Sequence, residues 1–419
     1  MTSSDMRDKP FKIDKWRVYE AYKAVKSNQG AAGVDGQTLE QFESDLKRNL
    51  YKIWNRMSSG SYFPPPVRAV SIPKKSGGER ILGVPTVSDR IAQVVVKQLI
   101  EPDLEAIFLP DSYGYRPGKS ALQAVGATRE RCWKHDWVLE FDIKGLFDNI
   151  DHTLLLKAVR KHVTCKWALL YIERWLTAPM ECDGVRMARM RGTPQGGVIS
   201  PVLANLFLHY TFDLWMERTY PQLLWCRYAD DGLVHCRTEQ EATALKAALQ
   251  NRLAECRLEL HPDKTRIVYC KDVKRNAEYP IVMFDFLGYC FRPRLVKNTR
   301  TQQLFWGFNP AVSPGALKDI RSTIRALKFR RQTHLSLEDI AQRLNPLLRG
   351  WIGYYGRYTP SALQPLFRHV DLTLVGWARR KFKRFGARLT QAHCFIKQLA
   401  RDQVDLFTHW RLVAQGSFV

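Results

Sequence analysis

Between residues 16 and 60, apolar side chains recur every three or four positions: Trp16, Tyr19, Tyr22 and Val25, then Leu39, Phe42, Leu46 and Leu50. That is the period of a helix with one buried face, so the segment is expected to be helical. Pro64-Pro65-Pro66 closes it, because proline supplies no amide donor. Residues 67–84 are rich in β-branched side chains and are interrupted by Lys74-Lys75-Ser76-Gly77-Gly78. Two strands around such a turn make a β-hairpin with a basic tip. The helical period returns over 87–109 through Ile91, Val94, Val95 and Leu99, with Ser88 as the expected N-cap. A short apolar strand at 137–143 ends in an acid, and 153–176 reads as helix. Residues 201–215 form a second helical run after a glycine-rich loop, 223–236 form two short strands, and 242–258 form a helix with Leu245, Leu249 and Leu253 four apart. From Leu317 onward the pattern is wholly helical. Leu317, Ile320, Ile324 and Leu327 make one face, Ile340, Leu344, Leu347 and Trp351 another that Pro346 is expected to kink, and 362–385 a third. The order is a helical cap, a mixed α/β centre and a helical bundle, with no internal repeat.

A chain of 419 residues exceeds one ordinary core, so two to four modules are expected. The formal charge of +24 points to a polyanionic partner, most often nucleic acid; the alternative is a surface that is merely soluble and basic. The charge is uneven: residues 311–419 carry +13. The densest phosphate contact is therefore expected there. Nine cysteines are scattered without a Cys-x-x-Cys pair. That argues against a disulfide framework or a four-cysteine zinc site and fits a reducing cytosol. The first fifteen residues hold no apolar run that could serve as a signal peptide, and no stretch approaches a bilayer-spanning length. A soluble cytoplasmic protein without a membrane partner is expected.

Tyr228-Ala229-Asp230-Asp231 lies between two short apolar strands, so both carboxylates belong at a hairpin tip. Adjacent acids repel unless a cation neutralises them. Asp also favours turns, and an isolated Asp-Asp pair carries little. Asp142 adds a third acid, at the end of Val138-Leu139-Glu140-Phe141-Asp142-Ile143. That strand buries Leu139 and Phe141, or Val138 and Ile143, depending on its face. If it neighbours the hairpin, three carboxylates converge. Such a set can bind two Mg²⁺ ions about 4 Å apart, as phosphoryl transfer from a nucleotide to a 3′-hydroxyl requires. Oxygen-only ligands favour Mg²⁺ over zinc, with Mn²⁺ a possible substitute.

These blocks resemble the reverse-transcriptase family, and within it the proteins encoded by bacterial group II introns. The Tyr-Ala-Asp-Asp box and the Phe-Asp-Ile strand look like the two catalytic blocks. Arg68 to Lys74 with Arg80 to Pro85, Gly114 to Ser120, Arg191 to Pro201, Leu260 to Thr265 and Phe286 to Tyr289 are similar to the remaining blocks, in the family's order. Leu347 to Tyr358, with its Arg, Tyr and Trp among glycines, resembles the maturase segment. Its alternative is a packed aromatic core.

The resemblance implies an α+β right-hand polymerase with fingers and palm, followed by an all-helical thumb/maturase domain. The expected division is an N-terminal helical extension over 1–66, fingers over 67–138, palm over 139–309, thumb over 310–385 and a short basic segment over 386–419. No endonuclease domain is expected. The implied activity is RNA-directed DNA polymerisation of a group II intron, with intron RNA bound to assist splicing and mobility. Implied roles follow residue by residue. Asp142, Asp230, Asp231 and the Ile143 backbone hold metal. Lys74 and Arg80 grip the triphosphate, Gln195 and Ile143 line the nucleotide pocket, and Phe147 crowds a ribose 2′-hydroxyl unless it is simply core. Arg116, Lys264, Leu287, Gly288, Arg349, Arg357, Arg379, Arg380, Lys381, Lys383 and Arg384 meet nucleic acid, Lys264 either there or at the acids. Implied partners are intron RNA, an RNA template with a DNA primer, deoxynucleoside triphosphates and target DNA; the oligomeric state stays open. Two alternatives remain: an RNA-binding maturase with a vestigial polymerase site, and a domesticated enzyme of phage defence or CRISPR spacer acquisition.

Overall fold

The computed structural model describes residues 9–73, 78–297 and 301–414 of an α+β chain. Its contacts divide it into two units. The first takes the chain up to Ser120, then Leu139–Val234 and Gln240–Arg266; the second takes Ala121–Val138, His235–Glu239 and the chain from Ile267 onward.

In the first unit, the expected helical stretch over 16–60 is three helices, Lys15–Asn28, Leu39–Glu43 and Leu46–Ser58. The Asp14 carboxylate caps the first, accepting from the Trp16 amide at 2.9 Å. That helix ends at Gln29, φ 53°, where a glycine-rich run begins. Glycine is costly inside a helix, and order resumes at a Thr38–Gln41 capping box. The buried face is Val18, Ala21, Tyr22 and Val25, which leaves Trp16 70% exposed.

The expected hairpin forms. Val67–Pro73 pairs antiparallel with Glu79–Val84, from Arg68 opposite Val84 to Pro73 opposite Glu79. Its tip, with Lys74, lies outside the described residues. Two three-residue strands, Met180–Cys182 and Val185–Met187, extend this sheet to four strands. The helix Val87–Glu105 is capped by Thr86, not Ser88: the Thr86 hydroxyl accepts from the Asp89 amide at 3.2 Å. The stretch read as one helix over 153–176 is two, His152–His162 and Lys166–Thr177. The run over 201–215 is Ser200–Leu208, a π turn at His209–Asp213, and Leu214–Thr219.

The sheet that carries the acids orders its strands Leu224–Tyr228, Asp231–Cys236, Trp137–Asp142 and Arg266–Tyr269. Trp137–Asp142 is an interior strand, and Val138, Leu139 and Phe141 are all buried. Neither single-face alternative holds, because an interior strand covered on both sides has no solvent face.

The second unit contains an antiparallel sheet of Phe284–Phe286, Tyr289–Lys297 and Leu304–Val312. The helices Pro314–Ala326, Leu337–Tyr355, Gln364–Lys381, Leu389–Asp402 and Thr408–Ala414 follow. Ile324, Leu344, Val370, Trp377, Ile396 and Trp410 share one core among them. The Leu337–Tyr355 helix runs on through Pro346. The Thr408–Ala414 helix docks through Asp371, which accepts from Trp410 Nε1 at 2.9 Å and pairs with His409 Nε2 at 2.9 Å. No helix among the described residues is long and apolar enough to cross a membrane.

Candidate active site

Strands Leu224–Tyr228 and Asp231–Cys236 meet at a turn in which Ala229 takes φ 57°. A side chain rarely adopts that conformation unless its surroundings impose it. Here they do. The Ile143 amide donates to the Asp230 carbonyl at 3.3 Å, and Arg227 Nη1 donates to the Ala229 carbonyl at 3.2 Å. Two glycines let other backbone and rings close in. A Cβ on Gly114 would stand 2.4 Å from the Ala229 nitrogen, and one on Gly232 would stand 2.1 Å from Phe141 Cζ.

Beneath the turn lies a fully buried ion pair. Arg227 donates through Nε and Nη2 to the two Asp213 carboxylate oxygens at 2.7 and 2.6 Å. It also reaches Ser112 Oγ at 2.8 Å and Asn205 Oδ1 at 3.1 Å. Asn205 in turn donates to the Gly114 carbonyl at 2.7 Å. The π turn ends on Asp213, so this irregular helix supplies the carboxylate.

Asp142 finishes its strand beside this turn. The His261 amide donates to its carbonyl at 2.8 Å, and Lys264 Nζ donates to its Oδ2 at 2.8 Å. That bond raises the Lys264 pKa. Asp231 opens onto solvent at its surface, yet protein crowds its carboxyl from below. That loss of water, then the Asp230 and Asp142 charges, pushes it up to about 7. Asp230 is raised too, mainly by burial and further by Asp142. Asp142 and Asp231 share a hydrogen bond between side chains. Three carboxylates thus face the Lys264 ammonium and, at Asp230, the Arg80 charge. Among the described residues no three acids, histidines or cysteines stand in an arrangement that could hold a metal ion as they are. The oxygen-only donors and raised acids nonetheless suit a hard divalent cation, which would replace the neutralising role of Lys264 and a proton.

A second group adjoins the acids. Arg80 Nε donates to Gln195 Oε1, and Gln195 Nε2 donates to Asp148 Oδ2 at 3.1 Å. The Gly83 amide holds the Gln195 carbonyl at 2.7 Å, tying the hairpin to this loop. Phe147 is buried, edge-on to Tyr115 with ring centroids 6.3 Å apart. The Tyr115 hydroxyl is raised by burial and by the Asp230 charge. Tyr115 and Asp148 were not singled out as site residues by the sequence. Tyr115 had one signal, an aromatic beside Gly114 in a recognised block; Asp148 had none. Arg189 is a third omission. Its Nη1 and Nη2 are buried without a hydrogen-bond partner, and the Asp148 charge acts on it.

The remaining candidates fall elsewhere. Arg116 is a correction: its guanidinium is spent on Glu105 at 2.9 Å and on the Leu109 and Ser112 carbonyls at 2.6 and 2.9 Å. Its side chain is 7% exposed, so it serves as an internal strut. Ile143 is buried, its amide used in the sheet. Leu287, Gly288, Arg349, Arg357, Arg379, Arg380, Lys381, Lys383 and Arg384 belong to the second unit. Leu287 and Gly288 form the turn between two strands, at φ 53° and 79°. Arg349, Arg357 and Lys383 are exposed. Part of the basic run is structural: Arg379 donates to the Gly386 carbonyl at 2.7 Å, Arg380 to the Arg330 carbonyl at 3.1 Å and Lys381 to the Leu335 carbonyl at 2.6 Å. Arg384 lies over the Phe385 ring at 4.6 Å.

The loop bearing Gln195 hangs from a buried chain. Gln93 Oε1 accepts from the Val198 and Ile199 amides at 2.7 and 3.3 Å, and Gln93 Nε2 donates to Asp89 Oδ2 at 2.9 Å. Asp89 Oδ1 accepts from Tyr62 and Trp175 at 2.9 and 2.7 Å. Gln93→Leu removes the acceptor of two buried amides, at a cost of about 1–3 kcal/mol. The expected outcome is a melting temperature lowered by roughly 2–10 °C. An unchanged melting temperature would show that the two amides do not depend on Gln93.

Residues 72–291 match the family described as reverse transcriptase (RNA-dependent DNA polymerase), and residues 317–395 match the group II intron, maturase-specific domain. The chain is 31% identical over 298 residues to Protein YkfC of Escherichia coli (strain K12), covering 60% of this chain and 77% of that protein. It is 34% identical over 194 residues to the group II intron-encoded protein LtrA of Lactococcus lactis subsp. cremoris, 46% of this chain and 32% of LtrA. A putative COX1/OXI3 intron 1 protein of Saccharomyces cerevisiae is 31% identical over 198 residues, 47% of this chain and 24% of that protein. The match spans a third or less of these two intron-encoded relatives.

Proposed function

We infer the function from one premise: this chain belongs to the reverse transcriptase (RNA-dependent DNA polymerase) family and carries a group II intron maturase-specific domain. It copies RNA into DNA and binds intron RNA to assist splicing and mobility. The observation that carries the reading is the junction of Asp142 with the Asp230–Asp231 turn, bridged by the Ile143 amide and crowned by Lys264.

Asp142, Asp230 and Asp231, with the Ile143 backbone, would hold Mg²⁺, or Mn²⁺ in its place. When bound, such ions make a primer 3′-hydroxyl more acidic and stabilise the leaving pyrophosphate. The chain's own groups do the rest. Lys264 orients Asp142 through its hydrogen bond to Oδ2. Arg80, resting on Gln195, would take the triphosphate of a deoxynucleotide, joined by Lys74, which lies outside the described residues. Phe147, edge-on to Tyr115, would crowd a ribose 2′-hydroxyl. Residues 67–138 would supply the fingers and 139–309 the palm of a right-hand polymerase. The helices from Pro314 onward supply the thumb and maturase surface, whose charge suits intron RNA, template–primer and target DNA.

Primer extension on an RNA template with Mg²⁺ tests the reading. Incorporation of deoxynucleotides is the expected result; tight RNA binding with no extension would mean a vestigial polymerase site.

A second expectation concerns protons. The folded Asp231 pKa, about 7, lies above the unfolded value near 3.9. The metal-free site therefore loses stability as pH rises from about 4 to 7, the loss being complete above the folded pKa. A divalent ion reverses that preference. Binding at pH 7 is expected to release a proton, and affinity is expected to rise with pH and level off above about 7. Calorimetry in buffers of different ionisation enthalpy measures this; no proton release would contradict the raised carboxyl.

A further inference from the structure

Away from the acids, the second unit holds two adjoining cavities of about 430 and 440 Å³ along the helices Pro314–Ala326 and Gln364–Lys381. Arg325 and His369 line both. Lys328, Arg330, Arg331 and Arg380 line one, and Arg321 and Arg368 line the other. No acidic residue is among the described residues that line either. Arginines and a lysine gathered along one groove repel one another, and folding alone gives no reason to bring them together.

The groove is also built rather than left over. The Pro314–Ala326 helix ends near Lys328, held at φ 53°, and a short turn over Phe329–Arg331 follows. Phe329 is buried as its anchor, while Arg330 and Arg331 stay exposed. Arg330 lies against Gly376, where a Cβ would meet its Nε at 2.9 Å. At the floor, His369 Nε2 is buried without a hydrogen-bond partner. A buried polar atom left unmatched is costly and rare.

We propose that this groove is a binding site for an RNA backbone, with consecutive phosphodiesters held by Arg321, Arg325, Lys328 and Arg368. The occupant is a polyanion because the charged groups on the walls are all cationic. It is elongated because the two cavities run on from each other through shared residues. His369, in this arrangement, meets a sugar hydroxyl or base edge, which phosphate-only contact would not require. The site rests on the RNA-binding reading above and deepens it, by giving the maturase-type helices a defined seat for the RNA.

The test uses the full chain and a fluorescent RNA hairpin, with affinity measured across a salt series. Removing one cation that neutralises a phosphate lowers the slope of log K against log salt by about 0.7–0.9. The double variant Arg325→Gln/Arg368→Gln is therefore expected to flatten the slope by roughly 1.4–1.8 and to weaken binding about tenfold or more near 0.1 M salt. Leu372→Glu gives an independent variant. Leu372 is 40% exposed at the groove's lip, so a carboxylate there repels RNA without opening the core. It is expected to weaken binding severalfold at an unchanged melting temperature. Wild-type binding with a slope unchanged in both folded variants overturns the groove and leaves the RNA-binding function standing. A wild-type protein that shows no salt-dependent RNA binding overturns both.

Discussion

Asp230→Asn is expected to reduce deoxynucleotide incorporation by at least about a thousandfold, equivalent to roughly 4 kcal/mol of lost transition-state stabilisation. RNA affinity is expected to stay within about threefold of wild type or to rise slightly, because one negative charge is removed from the site. The substitution keeps shape and volume, and the backbone carbonyl of residue 230 can still accept from the Ile143 amide. The effect is therefore electrostatic: an amide oxygen is a weaker ligand for a hard cation than a carboxylate. Single-turnover primer extension with filter binding on the same preparation separates the two quantities. Extension at the wild-type rate would remove Asp230 from the catalytic set, and with it the metal reading of the neighbouring Asp231.

The second large effect lies one layer below. Asp213→Ala leaves the Arg227 guanidinium buried with its two shortest bonds gone. Breaking one side of such a pair costs about 3–5 kcal/mol. A fall in melting temperature of roughly 10 °C is expected, at about 2–4 °C per kcal/mol for a unit of this size. Activity is expected to fall further than stability alone explains, since Arg227 also holds the Ala229 carbonyl in the strained turn. Replacing the pair together, Asp213→Leu with Arg227→Met, should restore much of the stability but not the activity, because apolar groups can fill the space without fixing the turn. A single variant that melts within about 1 °C of wild type would show that the buried pair contributes little.

The local patterns were legible where burial follows a short period. The hairpin at 67–84, the interior strand ending on Asp142, the two strands around Asp230–Asp231 and the helical run after Leu317 all appear in the structure. Boundaries failed where a side chain, not periodicity, ends an element: Thr86 caps the helix that Ser88 was expected to cap. The strands at 180–187 were invisible because each is three residues long and largely uncovered, so no alternation marks them. The π turn before Asp213 also left no trace, since one inserted residue does not change composition.

Residue type, spacing and the resemblance of these blocks to a known family set the candidates: three acids at strand ends, a basic hairpin, and a strongly basic helical tail. Only the tertiary structure decided which charges are spent. Arg116 and Arg227 carry the same side chain as Arg80, yet the first two are buried struts and the third rests on Gln195 beside the acids. The reason is range. Periodicity reports a residue's own face, whereas a guanidinium's partner can lie 115 positions away, as Ser112 does from Arg227 and Gln195 does from Arg80.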